Sequence, residues 1–227
     1  MFAKSPLTGL YSESYAGGSA AIAMSRAGFD AFVIKGASDR PLWLEISDQG
    51  VFFHEADDLW GLDTFETEAA VRKRVVANSP GIMVIGPAGE NCVRFAVVKN
   101  DGWRVCGRTG MGAVLGSKKI KAVVFHGGQK RPFADPEGLK AYAKEKLALY
   151  KDHPVTQAYR NNGTPMMVDI LNKAGGFPSR YWSQGSVQHV EAINAQSMQQ
   201  RCRPKPKACR TCFLACGKSV RVQQGRH

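Results

Sequence analysis

Between residues 31 and 126 the chain alternates short apolar runs with polar breaks. Residues 31–35 (AFVIK), 42–46 (LWLEI), 50–54 (GVFFH), 82–85 (IMVI), 93–99 (VRFAVVK) and 122–126 (AVVFH) are rich in β-branched or aromatic side chains. Gly, Asp or Asn punctuates them, and this pattern predicts strands. Ser47, Asp48 and Gln49 separate two of the runs and predict a hairpin. Two stretches have helical character instead. Residues 19–26 form an Ala-rich run after Gly17 and Gly18. Residues 63–76 open on Asp63 with Glu66 three positions on, the spacing of a capping box. Asn78, Ser79, Pro80 and Gly81 stop that helix.

The pattern changes after Gly127 and Gly128. Asp135 followed by Pro136 reads as an N-cap with proline at the first helical position. Leu139, Tyr142, Ala143, Leu147 and Tyr150 then fall on one helical face. Residues 164–174, closed by Gly175 and Gly176, and residues 192–200 are further helices by the same reading. The chain is therefore expected to be α+β. A strand-rich segment over 1–128 precedes a mainly helical one over 129–227, with the boundary between 127 and 134. No internal repeat or low-complexity tract is present.

Composition narrows this picture. The 227 residues are 44% hydrophobic and 22% charged, which excludes a wholly disordered tail or a collagen-like chain. The length allows one large domain or two small ones. No run approaches the roughly 20 apolar residues of a membrane-spanning helix, so no membrane association is expected. The opening lacks a secretory pattern, so no signal peptide and a cytoplasmic location are expected. Lys and Arg number 31 and Asp and Glu 19, a net charge of +12. Residues 1–128 hold 14 basic and 13 acidic side chains, whereas residues 129–227 hold 17 and 6. A basic segment suits nucleic acid, a membrane surface or an acidic partner; the bland reading is a solvated face. Of the six cysteines, four lie in this basic part. Without an export signal a disulfide framework is not expected.

The sharpest chemical motif is Cys209-x-x-Cys212-x-x-x-Cys216. Three thiolates at this spacing can reach three corners of an iron–sulfur cluster, which wants four soft ligands. Tetrahedral zinc is the rival, and three buried cysteines that bind nothing are the bland alternative. Cys202 is a candidate fourth ligand, with Pro204 and Pro206 intervening. A second feature runs from Gly107 and Arg108 through Gly110, Gly112 and Gly116 to Lys119. Glycines there would let backbone N–H groups approach an anion, and Arg108 could add a bidentate phosphate contact. It is neither a Walker loop nor a dinucleotide fingerprint; a tight glycine turn is the structural alternative. Gly17 and Gly18 before a short helix offer a weaker anion site, and a helix-entry turn explains them better. Residues 86–91 (GPAGEN) read as a shaped turn, with Glu90 structural rather than catalytic. The five histidines show no ligand spacing.

These motifs occur in a fixed order. Residues 4–9 (KSPLTG), 27–31 (AGFDA), 85–91 (IGPAGEN), 110–118 (GMGAVLGSK) and the cysteine triplet together resemble the tungsten-containing aldehyde:ferredoxin oxidoreductase family. The likeness covers about residues 3–220. The resemblance implies oxidation of a small aldehyde to a carboxylic acid at a tungsten bis-pterin centre, with molybdenum as the alternative metal. Electrons would pass through a 4Fe–4S cluster to ferredoxin or another electron-transfer protein. It implies a strand-rich pterin-binding domain over 1–128, followed over 129–227 by the start of a helical domain. By match, Cys209, Cys212 and Cys216 are cluster ligands, which makes Cys202 a bystander. Tyr15, Gly17, Val105, Cys106 and Arg108 stand at the positions that meet the pterin and the magnesium between its phosphates.

Two departures accompany the likeness. Tyr15 and Ala16 stand where Asn-Ser is frequent, which spares backbone contacts and removes an Asn side-chain contact. Family chains are also much longer, so this one reads as an internal piece lacking the fourth cluster cysteine and the acid–base residues of the tungsten centre. On that reading the piece alone is expected to be inactive on aldehydes, and the complete protein is expected to be a homodimer or hetero-oligomer. The alternatives are a non-catalytic iron–sulfur electron-transfer module, the tungsten subunit of an aromatic-ring thioester reductase, and a zinc-dependent nucleic-acid binder. Nucleic acid is the least favoured of these, because an acidic ferredoxin explains the same charge.

Overall fold

The computed structural model describes residues 1–210 and 212–221. The chain divides into two compact units, Met1–Pro132 and Phe133–His227. The first contains β1 (Phe2–Lys4), β2 (Tyr11–Glu13), α1 (Ala20–Arg26), β3 (Leu42–Ser47), β4 (Gly50–Glu55), α2 (Thr64–Arg74), β5 (Gly81–Val84), α3 (Pro87–Glu90), β6 (Val98–Asn100), β7 (Arg104–Cys106), α4 (Met111–Ser117) and β8 (Ile120–Phe125). The second contains α5 (Pro136–Tyr150), α6 (Pro154–Asn162), α7 (Met167–Lys173), α8 (Ala195–Cys202), β9 (Lys205–Lys207) and β10 (Gly217–Ser219). The fold class is the α+β arrangement expected: a six-stranded sheet in the first unit, and helices with one short ribbon in the second.

The sheet runs in the order β4-β3-β8-β5-β6-β7. Its pairs are antiparallel except β3 with β8, which are parallel. Every residue of β8 is buried. Val123 and Phe125 enter one core, with Leu44, Ile46, Met111 and Leu115. Ala122 and Val124 enter the other, with Trp43, Val71, Ile82 and Val84. Successive strand side chains point to opposite faces, and a strand covered on both faces reads as a continuous apolar run. Residues 122–125 are such a run.

Local chemistry explains several helix starts. Asp63 accepts N–H bonds from Phe65 at 2.7 Å and Glu66 at 2.8 Å, while Glu66 accepts the Asp63 N–H at 3.1 Å. This is the reciprocal capping box, and a good N-cap contributes about 1 kcal/mol. Asp135 accepts the Gly138 N–H at 2.8 Å and starts α5 with Pro136 in the first turn. The last helix begins three residues later than the pattern predicts. Asn194 is its cap, accepting the Ser197 N–H at 2.9 Å. The helix expected over 164–174 opens as a 3-10 turn, Thr164–Met166, before α7.

Two expected strands differ. Residues 31–35 form no strand. Phe32 lays its ring 5.3 Å from that of Phe125, and Ile34 packs on the same core. Of residues 93–99 only the end is strand, in β6. The preceding stretch bends around α4, where Gly112 donates its N–H to Ala96 at 2.9 Å. Residues 86–91, expected as a turn, contain the single helical turn α3 with Pro87 in its first turn.

Candidate cofactor cleft and cysteine loop

In the first unit, the β1–β2 ribbon and the loop after β7 meet. Ser14 and Met1 exchange backbone bonds, Ser14 N–H to Met1 O at 3.0 Å and the Met1 amine to Ser14 O at 2.9 Å. Ser14 Oγ then accepts the backbone N–H of Arg108 at 3.3 Å, across 94 residues of sequence. Ser5 donates its hydroxyl to the Thr109 carbonyl at 2.8 Å. The result is an open cleft of about 630 Å³ lined by Glu13, Ser14, Tyr15, Val105, Gly107 and Arg108.

The backbone after β7 turns sharply. Thr109 (φ 65°) and Gly110 (φ 81°) are consecutive left-handed residues. A Cβ on Gly110 would stand 2.1 Å from the Arg94 carbonyl oxygen, so only glycine fits. The glycines that follow belong to α4 and serve packing. Cβ atoms on Gly112 and Gly116 would stand 2.4 Å from Val97 O and 1.8 Å from Gly89 O. The anion-cradle reading therefore narrows to Gly107 and Arg108, while Gly112 and Gly116 bring α4 against its neighbours.

Of the residues singled out for the pterin, Tyr15, Val105 and Arg108 line this cleft. Cys106 is buried beneath it at 3% exposure, and burial pushes its thiol pKa up. Gly17 is exposed and does not line the cleft. The helix entry beside it is already satisfied: Asp101 accepts the Ser19 N–H at 2.6 Å and the Ser19 hydroxyl at 2.5 Å. The anion at that helix start is thus the protein's own carboxylate. Sequence reasoning missed Asp101, Glu13 and Ser14, because their partners lie far along the chain or their side chains carry no motif.

The donors on the cleft suit a phosphate-bearing group. Among the described residues no protein acceptor takes the exposed Arg108 guanidinium. Exposed Gly107 leaves the backbone approachable. Glu13 shares the cleft, and its hydrogen bond with Tyr15 raises the Tyr15 pKa.

In the second unit, Cys209, Cys212 and Cys216 are all free thiols. Cys209 and Cys212 share a turn closed by the Cys212 N–H on the Cys209 carbonyl at 3.0 Å. Cys216 immediately precedes β10 and forms an isolated bridge with Lys207. Donor type and number suit three corners of an iron–sulfur cluster. Among the described residues, no three His, Cys, Asp or Glu side chains are gathered tightly enough to hold a metal ion. Cys202 closes α8 and is exposed. Among the described residues no helix is long and apolar enough to cross a membrane.

Comparison with known proteins gives this arrangement a class. Residues 1–127 match the N-terminal domain of aldehyde ferredoxin oxidoreductase, and residues 141–227 match its domains 2 and 3. The chain belongs to the aldehyde ferredoxin oxidoreductase family. The tungsten-containing aldehyde ferredoxin oxidoreductase of Thermococcus kodakarensis is 37% identical over 216 residues, which are 95% of this chain and 36% of that protein. The Pyrococcus furiosus enzyme of the same name is 34% identical over 220 residues, 96% of this chain and 36% of that protein. Among solved structures, the active site complex BamBC of benzoyl coenzyme A reductase with 1,5-dienoyl-CoA superposes with a TM-score of 0.76 at 25% identity. That superposition covers 98% of this chain and 36% of the other. The chain thus spans about a third of the length of the proteins it matches.

Proposed function

We propose that this chain supplies the cofactor base and three cluster ligands of a tungsten aldehyde oxidoreductase. The observation that carries the reading is the Ser14–Arg108 hydrogen bond, which joins two distant segments into one cleft. When bound, a tungsten bis-pterin supplies the two-electron chemistry that converts an aldehyde to a carboxylic acid. The protein's part is binding, orientation and exclusion of water. Arg108 offers its planar fork to a phosphate oxygen pair. Backbone carbonyls of Val105 and Cys106, with the backbone at Tyr15, would offer hard oxygen ligands to a magnesium ion bound with the cofactor; Gly17, off the cleft, would take no part unless its segment moved. Cys209, Cys212 and Cys216 would supply three thiolate ligands to a 4Fe–4S cluster, drawn together on binding it. Ferredoxin is the electron acceptor, drawn to a segment with 17 basic and 6 acidic side chains, and the protein acts in the cytoplasm as part of an oligomer. Family membership does not favour a stand-alone electron-transfer module.

The test is metal analysis of the full chain produced anaerobically with tungstate. Wild-type protein is expected to hold both tungsten and iron. Arg108→Ala should lose tungsten and keep iron, and Cys212→Ser should lose iron and keep tungsten. Zinc in place of iron, or tungsten fully retained by Arg108→Ala, would overturn the corresponding half of the proposal.

A further inference from the structure

The cysteine loop is fastened by a lysine that no sequence motif singles out. Lys218 lies on β10, two residues beyond Cys216, and is half-buried. Its ammonium donates toward five backbone carbonyls: Tyr159 at 3.3 Å, Arg160 at 2.9 Å, Ala215 at 3.4 Å, Cys216 at 3.3 Å and Gly217 at 3.0 Å. Three N–H bonds are shared among five acceptors, the geometry of a point charge in an oxygen cage. The Tyr159 and Arg160 carbonyls lie in the last turn of α6. The Tyr159 carbonyl also accepts the Gly163 N–H that closes the helix, at 2.9 Å, and the negative end of a helix favours a cation. The other three belong to the segment that carries the Cys216 thiol.

Two further contacts join the same pair of elements. Arg160 donates from Nη1 to the Phe213 carbonyl at 2.8 Å, inside the Cys212–Cys216 span. Gly163 caps α6 in a left-handed conformation (φ 64°), and a Cβ there would stand 2.8 Å from the Cys216 carbonyl oxygen. Helix α6 and the cysteine loop are therefore held by an ammonium, a guanidinium and a close backbone approach.

We propose that Lys218 is a positioning residue for Cys216 and also the fixed positive charge that raises the reduction potential of the cluster. This rests on the reading of Cys209, Cys212 and Cys216 as cluster ligands. The reduced cluster carries one more negative charge than the oxidised one, and cluster potentials are set by net charge and surrounding hydrogen bonds. An ammonium held beside a ligand backbone favours the reduced form. Arginine would keep the charge, but its planar fork does not fit a cage built around a point donor.

The full chain, reconstituted anaerobically with iron and sulfide, tests this. Iron per chain, the rate of iron loss to a chelator and the midpoint potential from a spectroscopically monitored titration are read for wild type, Lys218→Met, Lys218→Arg and Cys216→Ser. Lys218→Met should lower the midpoint potential and lose iron several-fold faster, with an unchanged circular dichroism spectrum. Lys218→Arg should recover the potential and still lose iron faster than wild type. A Lys218→Met protein with wild-type potential and iron retention overturns the role of Lys218 and leaves the ligand reading intact. Should Lys218→Met fail to fold, wild-type iron retention in Lys218→Arg overturns the cage. Cys216→Ser protein that keeps its full iron overturns the ligand reading itself.

Discussion

Lys121 meets the Glu90 carboxylate inside the first unit, with side-chain exposures of 0% and 4%. A second donation from Lys121 reaches the Leu62 carbonyl at 2.8 Å, and both Glu90 oxygens accept the Gly61 N–H at 3.0 Å. The central strand β8, helix α3 and the loop before α2 are thereby tied at one point. Losing one partner of a buried pair leaves an uncompensated charge and costs about 3–5 kcal/mol. Lys121→Met or Glu90→Leu alone should therefore lower the urea midpoint severely. The double variant Lys121→Met/Glu90→Leu should recover most of the loss.

Helix α4 is held where glycine alone fits. The Cβ of Gly116→Ala would fall 1.8 Å from a backbone oxygen, and backbone yields less than a flexible side chain does. Overpacking of this kind costs typically 1–3 kcal/mol. Gly116→Ala should show that loss in urea unfolding. Gly176→Ala, with nothing within 4 Å of the added methyl, should unfold as wild type does.

At the cleft, charge and shape can be separated. Hydrogen bonds to charged groups contribute about 1.5–3 kcal/mol. Arg108→Ala should therefore weaken tungsten retention roughly ten- to a hundredfold, converting that energy at about 1.4 kcal/mol per decade. Arg108→Lys keeps the charge without the fork and should fall between the two. Tungsten per chain after exhaustive dialysis reads the order directly. An Arg108→Lys protein indistinguishable from Arg108→Ala would show that the fork, not the charge, binds.

Cysteine reactivity should follow burial. Cys92, Cys202 and Cys212 are exposed and should alkylate rapidly in the metal-free chain, while buried Cys106 should wait for unfolding. Desolvation raises the Cys106 pKa in the folded state above its unfolded value. Its favourable contribution is complete below the unfolded thiol pKa and is lost as pH rises through the folded one. Urea midpoints measured at neutral and alkaline pH should fall less steeply for Cys106→Val than for wild type.

Sequence legibility tracked the range of the interaction. The Asp63–Glu66 box, the Asp135 cap and the β3–β4 hairpin are decided within a few residues, and the pattern shows them. Residues 31–35 carry a strand-like composition, but Phe32 and Ile34 are spent on packing, which composition cannot distinguish from pairing. Gly112 and Gly116 read as loop glycines because their reason is a backbone that passes more than ten residues away in sequence. Asp101 at the Ser19 helix entry is 82 residues from its partner and carries no local signal. The cleft was legible in Tyr15, Val105 and Arg108 through family likeness, whereas Ser14, which links their segments, was not. The same holds for Lys218, whose acceptors on α6 lie 58 and 59 residues away.

The place of β8 in the sheet has a consequence for biosynthesis. It is the last strand of its unit to leave the ribosome, yet it lies between β3 and β5. Until residue 125 has emerged, the β3–β4 hairpin and the β5–β6–β7 meander have no shared neighbour, and both apolar faces lack their middle. Nascent chains stopped before β8 should thus expose open strand edges, bind chaperones and resist cooperative closure. Release of only a few more residues completes the sheet in one step.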